Sequence, residues 1–404
     1  MFEMEVSMRD VVIVEACRTA VGSFGGTIKD VMAEELARVV VQGILDRSGV
    51  APKEIDEVIL GHCRQSSDNP NIARIVALRC GIPEETPAYT VMRQCASAMS
   101  AVVNGIMSIQ VGDNDVVLAG GTESMSSGIF YLRNPRYGLG TGNVTLYDSV
   151  TEGQFQAQPQ EMYGIFNMGV TADNVAEKMN IPREALDKFA LQSQVRAAKA
   201  IAEGKFKDEI VPVMVPQRKG DPIVFDVDEY PKQTSLEKLE KLKPAFGKDG
   251  VTTAGNACGR NDGASAVLIM AAEKAEELGL KPLARFVSYA TTGLDPRLMG
   301  LGPVEATRKA LKRANMSLDQ MELVELNEAF AGQSVGCIRE LGLNEEITNV
   351  NGGAIALGHP VGSSGCRLIV TLLHEMRRRG NRYGLATLCI AGGMGQATII
   401  ECLY

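Results

Sequence analysis

Residues 49–61 read GVAPKEIDEVILG, and residues 315–327 read NMSLDQMELVELN. Each block opens on a polar turn, takes an acidic step and closes on a short apolar strand ending in Gly or Asn. Each follows a helix: residues 34–47 align Leu36, Val39, Val40 and Ile44 at helical spacing, and a second helix is expected over 304–313. Beyond the first block the chain passes through a loop to Cys95, a helix over 98–110 that is apolar on most faces, and VVLAGG. Beyond the second it passes through a loop to His359, a helix, and LCIAGG. This shared order predicts an internal duplication of an α/β unit of roughly 120 residues, with chance likeness of two βαβ units as the alternative. Residues 11–15 and 116–119 read as further strands, the latter closed by Gly120 and Gly121.

Between the halves, residues 125–260 differ in character. The region opens on LRNPRYGLGTGN and the Gln-rich GQFQAQPQE, and then carries two helices. Thr171 is placed to cap the first. The second is expected from Pro182, as a first-turn proline, to Gly204 as the C-terminal stop. The region reads as an excursion inserted after the first α/β unit.

The 404 residues are 45% hydrophobic and 22% charged, with a net charge of −8. That balance is ordinary for a soluble globular chain and argues against a general nucleic-acid binder, which needs a basic face. The 9 cysteines are odd in number and contain no C-x-x-C pair, which argues against a secreted disulfide framework and a structural zinc site. Three histidines, at 62, 359 and 374, leave little material for a metal centre. No apolar run approaches the roughly 20 residues that span a bilayer. The opening MFEMEVSMRD reads as neither a signal nor a transit peptide, and the final Cys-Leu-Tyr as neither a prenylation box nor a peroxisomal address. A reducing cytoplasm is the expected compartment. The stretch GLGTGN lacks the last glycine of a dinucleotide fingerprint, and there is no P-loop.

Cys95, in TVMRQCASAMSAV, stands where a strand gives way to a helix. A thiol at a helix N-terminus faces the positive end of the dipole, so a lowered pKa is expected there; a buried packing cysteine is the alternative. His359, in NGGAIALGHPVGSSG, is framed by glycines, which bring backbone close to a ligand and fix an imidazole at its rim. Cys389, in LATLCIAGGMG, ends a strand at a glycine turn. Asn327, in ELNEAFAG, ends another, where its amide suits a water or an oxyanion; a turn residue with Glu328 capping the next helix is the alternative. His62 and Cys63 are adjacent on a strand and point to opposite faces, so they are not expected to form a working pair.

These segments resemble the thiolase family nearly end to end. RQCAS around Cys95, NEAFA at 327–331, GGAIALGHPVGSSG at 352–365 and LCIAGGMG at 388–395 are similar to its four motifs, in order. TAGNACGRNDGAS at 253–265, FKDEIVPV at 206–213 and MGLGPVEATRKAL at 299–311 also match. The resemblance implies duplicated α/β halves in a layered αβαβα fold with an inserted loop domain. The halves would be 1–124, completed by about 261–280, and 281–404, with the loop domain over 125–260 binding coenzyme A and carrying an oligomer loop near 131–148.

The resemblance further implies acyl transfer between coenzyme A thioesters, condensing two acetyl-CoA to acetoacetyl-CoA or running the reverse thiolysis. Cys95 would be the nucleophile, His359 would take its proton, and Cys389 would be the acid/base at the α-carbon. Asn327, through a water, and His359 would hold the enolate oxygen, while the N–H groups of Cys95 and Ala391 would form the oxyanion hole. Substrate contacts would come from Cys258, Asn167, Met168, Ala254, Gly255, Phe246 and Lys232. No metal and no covalently bound cofactor would be needed. The partners would be acyl-CoA substrates, with a homodimer or homotetramer as the assembly and no nucleic acid or membrane. Ala391, Ala98, Met92, Cys258 and Asn167 depart from the family pattern. The alternatives are a 3-ketoacyl-CoA thiolase of fatty-acid degradation acting on longer chains, and a non-catalytic acyl-CoA-binding relative. A decarboxylating ketosynthase would want two histidines in the site.

Overall fold

A computed structural model describes residues 8–403. The first seven residues, most of the opening segment read above, and Tyr404 of the final tripeptide lie outside the described residues. Nine strands set the frame: β1 (Val11–Arg18), β2 (Glu57–Gly61), β3 (Ala88–Val91), β4 (Val116–Ser124), β5 (Asn261–Ala271), β6 (Ala284–Gly293), β7 (Leu323–Leu326), β8 (Tyr383–Ile390) and β9 (Met394–Cys402). They lie in one ten-stranded sheet in the order β7-β8-β9-β6-β1-β5-β4-β2-β3; the tenth strand, Gly22–Ser23, pairs with β5.

The order is mirrored about the β1/β6 contact. In the early half β2 runs parallel to β3 and β4, while β5 is antiparallel to β4 and β1. In the late half β8 runs parallel to β7 and antiparallel to β9, which is antiparallel to β6. A parallel bridge from Val324 to Thr348 stands outside β7, in the place β3 holds outside β2. Within the sheet the halves pair at two antiparallel positions, Val12 with Arg285 and Ile13 with Ala284.

The helices cover the strands in layers because the central strands are apolar on both faces. Val12, Val14, Leu268 and Met270 pack towards α1 (Ala33–Ser48) and α2 (Ile72–Arg79). Their chain neighbours Ile13, Val267 and Ile269 point the other way, onto α3 (Ser97–Gln110), as the pleat requires. In the late half Ala386, Leu388 and Ile400 face that same middle layer, shared with a long late helix over Ser364–Arg379, whereas Leu385, Ala397 and Ile399 face helices over Gly302–Ala314 and Ala331–Leu341. The result is helix, sheet, helix, sheet, helix. The all-round apolar character of residues 98–110 follows from this, since α3 sits in the middle layer.

Three local expectations change. Gly120 and Gly121 do not close β4 but lie within it, because the middle layer comes too close for a side chain: a Cβ on Gly121 would stand 2.2 Å from the Gly362 carbonyl. In the excursion, the helix α4 (Met168–Lys178) is capped by Asn167, whose side chain accepts from the Val170 N–H at 3.2 Å. Thr171 is inside the helix and donates to the Met168 carbonyl. Pro182 is the N-cap of α5 (Arg183–Ala202) rather than its first residue. The excursion is tied back to β1 by buried Arg18, which donates to Glu209 at 2.6 Å and to both oxygens of Asp228.

Candidate active site

The turn between β3 and α3 is fixed before any chemistry is considered. Gln94 holds a positive φ of 47°, unusual for a residue with a side chain. Its carbonyl accepts from the Ser97 N–H at 3.0 Å, the Ser97 hydroxyl at 2.6 Å and the Cys63 thiol at 2.9 Å. Three donors on one carbonyl over-determine the turn and hold Cys95 at its tip. The first helical residue is Ser97, so Cys95 stands two positions before the helix.

The backbone N–H groups of Ala391 and of Cys95 itself act on the Cys95 sulfur and favour its thiolate. Ala391 reaches it because β8 ends at Ile390, which pairs with Met394 across a three-residue turn. Gly392 and Gly393 in that turn take φ of +88° and +80°. The lowered thiol pKa expected at Cys95 is not found. Burial pushes it above the ordinary thiol value, and the two N–H groups and Arg64 offset that only in part. A local helix-end effect is weaker than desolvation of the thiolate.

His359 is buried, and its ring is held on one side. Nδ1 stands 2.7 Å from the Ser364 hydroxyl, which itself donates to the Pro360 carbonyl at 3.0 Å. A hydroxyl whose hydrogen is already given must accept, so Nδ1 carries the proton and Nε2 is left as the acceptor. Nε2 has no partner among the described residues. Burial pushes the imidazole pKa down to about 3, with Arg367 adding to the effect and Glu123 opposing it, so the ring is neutral at neutral pH.

Cys389 is fully buried, and burial, followed by the thiols of Cys95, Cys337 and Cys258, pushes its pKa well above the ordinary value. Cys95, His359 and Cys389 line one cavity of about 330 Å³. Asn167, Met168, Phe246, Cys258 and Ala391 line it too, together with Met299, Ala329 and Phe330. Phe246 packs edge-on to Phe330 at 5.9 Å. Asn327 is fully buried and is not among the residues that line the cavity; its backbone N–H binds the Thr387 carbonyl, but both polar atoms of its side chain lack a partner among the described residues. A buried amide without partners is a place for a water.

Ala254, Gly255 and Lys232 are not in the cavity wall. Lys232 lies over the Tyr230 ring at 4.6 Å. Met92 is exposed and Ala98 is buried against Gly121, so neither faces the cavity. Glu328 does not cap the helix that follows it in the chain; it accepts from Ser193, Asn349 and the Ile355 N–H, and so anchors the loop that leads to His359.

Three contributors had no sequence signal of their own. Ser364 sets the tautomer. Glu123, fully buried at the end of β4, accepts from the N–H groups of Cys63, Arg64 and Gly362 and pairs with His62 at 3.2 Å, joining the strand exit to the His359 loop. Burial raises the Glu123 pKa, but His62 and Arg64 outweigh it and hold the carboxyl below its ordinary value. Arg64 lines the cavity itself. Among the described residues no group of three or more His, Cys, Asp or Glu side chains is arranged to hold a metal.

The family model described as "Thiolase, N-terminal domain" matches residues 11–273, and "Thiolase, C-terminal domain" matches residues 280–402. The chain belongs to the thiolase family. It is 52% identical to an acetyl-CoA acetyltransferase of Chromobacterium violaceum, over 97% of this chain and 99% of the relative. It is 51% identical to the acetyl-CoA acetyltransferase of Pseudomonas aeruginosa, over 96% and 98%. Among solved structures, this thiolase superposes on a Bacillus anthracis acetyl-CoA acetyltransferase with a TM-score of 0.95 at 46% identity, covering 99% of this chain and 100% of that one. It superposes on human mitochondrial 3-ketoacyl-CoA thiolase with a TM-score of 0.94 at 45% identity, covering 98% and 100%. The layered αβαβα fold with duplicated halves is thereby that of the family. No helix among the described residues is long and apolar enough to cross a membrane.

Proposed function

We infer that this thiolase moves acyl groups between coenzyme A thioesters through an acyl-enzyme on Cys95, condensing two acetyl-CoA to acetoacetyl-CoA and running the thiolysis in reverse. The observation that carries this is the meeting of Cys95, neutral His359 and Cys389 in one largely apolar cavity.

In the thiolytic direction, His359 Nε2 takes the Cys95 proton as the sulfur attacks the 3-keto carbon. The paired pKa shifts favour a neutral resting pair, so the proton moves as the bond forms rather than beforehand. The N–H groups of Cys95 and Ala391 are placed for the resulting oxyanion. When the bond between C2 and C3 breaks, its electron pair takes a proton from the Cys389 thiol and acetyl-CoA leaves. A water held by Asn327, together with His359, steadies the enolate oxygen. Cys389 then recovers a proton from incoming coenzyme A, whose sulfur displaces Cys95, and His359 returns the proton it took. Thioester exchange needs no metal and no electron carrier.

The excursion over 125–260 supplies Asn167, Met168, Phe246 and Cys258 to the cavity and serves as the coenzyme A-binding loop domain. The exposed apolar residues Tyr137, Leu139, Val144 and Leu146 in the 131–148 region support a homodimer or homotetramer. The protein works in the cytoplasm. All four motif residues are present, which favours turnover over passive acyl-CoA binding. Purified protein mixed with acetoacetyl-CoA and coenzyme A is expected to consume the acetoacetyl absorbance and yield acetyl-CoA. A flat trace with folded protein would contradict the reading.

A further inference from the structure

Arg64 has no role in the chemistry above, yet it lines the same cavity as Cys95. Its backbone N–H is spent on Glu123, but its guanidinium makes no hydrogen bond or ion pair among the described residues, and its Nε is buried without an acceptor. Arg64 as a whole is half-buried, but its Nε donor is shut off from water with no acceptor, and an orphaned donor of that kind is costly, which leaves the side chain open to a ligand. The surroundings are built to fit it. Gly153, in the short helix Ser149–Phe155, faces the guanidinium; a Cβ there would lie 2.2 Å from Nη1, so any other residue would displace the arginine.

The charges facing the cavity are one-sided. Arg64 and Arg260 line it, and no carboxylate does. Arg260 is engaged by the Thr151 hydroxyl at 2.9 Å and by Asp148 at 3.6 Å. Arg64 acts on Glu123 through its charge, but the oxygens of Glu123 are already held by His62 and three N–H groups. Arg64 is therefore the free cation of this wall. The phosphates of coenzyme A do not suit it, because the pantetheine arm holds them far from the thioester, whereas Arg64 is close enough to Cys95 for its charge to act on the sulfur. An acetyl group offers it nothing to bind.

We propose that Arg64 is a specificity-determining residue that receives a carboxylate at the far end of the acyl group, making 3-oxo-dicarboxylyl-CoA esters substrates of this site. The proposal rests on the thiolase reading and deepens it. The chemistry balances as before: Cys95 sulfur bonds to C3, the bond between C2 and C3 breaks, C2 takes a proton from Cys389, and acetyl-CoA leaves. Coenzyme A then releases an ω-carboxyacyl-CoA two carbons shorter, the carboxylate being a spectator bound to Arg64. An arginine–carboxylate pair of this kind changes kcat/KM on the order of 10- to 100-fold.

The test is thiolysis of 3-oxoadipyl-CoA and 3-oxopimelyl-CoA beside 3-oxohexanoyl-CoA and 3-oxoheptanoyl-CoA, which match them in chain length but end in methyl, with acetoacetyl-CoA as the control. Wild-type protein is expected to favour a carboxylate-ended ester over its methyl-ended partner by about tenfold or more in kcat/KM. Arg64→Leu is expected to cut that ratio 10- to 100-fold, and Arg64→Gln, kept as a milder variant should leucine unfold the loop, to cut it as well. A field effect on Cys95 or a structural fault would lower both esters together and leave the ratio unchanged. Preference for methyl-ended esters in wild type, or an unchanged ratio in folded variants, overturns the proposal while acetoacetyl-CoA is still cleaved. Failure to cleave acetoacetyl-CoA as well overturns the thiolase reading and this proposal with it.

Discussion

Cys389→Ala is expected to lower thiolysis of acetoacetyl-CoA by about 10³-fold or more, while acetyl-CoA still acetylates the protein. The two outcomes separate because the two thiols are separate in the site. Cys389 is fully buried at the end of β8 and its thiol is held protonated, which suits a proton donor to the leaving carbon. Cys95, with His359 as its proposed base, needs none of that to accept an acetyl group from a simple thioester. Without Cys389 the carbanion has no acid at hand, and a positioned acid or base is worth roughly 10²–10⁴ in rate. Alanine keeps the packing against Phe330 and Met299 nearly intact, so the loss is chemical rather than one of folding. Steady-state thiolysis and intact-mass measurement on the same preparation check both halves. Turnover within tenfold of wild type would remove Cys389 from the mechanism.

Cys95→Ala is expected to abolish both thiolysis and acetylation, with a rate loss on the order of 10⁴-fold or greater. The turn that holds Cys95 is built from Gln94, Ser97 and Cys63 and does not depend on the Cys95 sulfur. The variant should therefore fold, with an unchanged circular dichroism spectrum and melting curve. A serine in its place would not rescue the reaction. Neutral His359, its pKa pushed down to about 3, would have to take a proton from a much weaker acid than a thiol. Residual turnover above about 1% would point to another nucleophile, with Cys258 the first to examine because it lines the same cavity.

Much of this was legible in the sequence because it is local or repeated. The paired blocks at 49–61 and 315–327 became β2 and β7 with their preceding turns, and the mirrored sheet order follows from them. Cys95, His359 and Cys389 stand in glycine-rich or strand-end settings that advertise themselves, and they do meet in one cavity. What could not be read depends on which distant segments touch. Glu123 and Gly362 are 239 positions apart, and nothing in either segment announces their bond. The Cys95 pKa goes up because of burial that no local motif encodes. Gly120 and Gly121 looked like a turn because a glycine pair usually is one; here they mark close approach of the middle layer. Asn167 outdid Thr171 as a cap because the helix begins four residues earlier than the polar pattern suggested. Arg64 carried no pattern at all, and only its unpartnered place in the wall of the cavity that holds Cys95 gives it meaning.

The central claim is that acyl groups pass through a thioester on Cys95. Wild-type protein incubated with acetyl-CoA should gain one acetyl group, digestion should place it on the peptide containing Cys95, and added coenzyme A should remove it. An acetyl group found instead on Cys389 or Cys258, or one that coenzyme A cannot discharge, would contradict the claim.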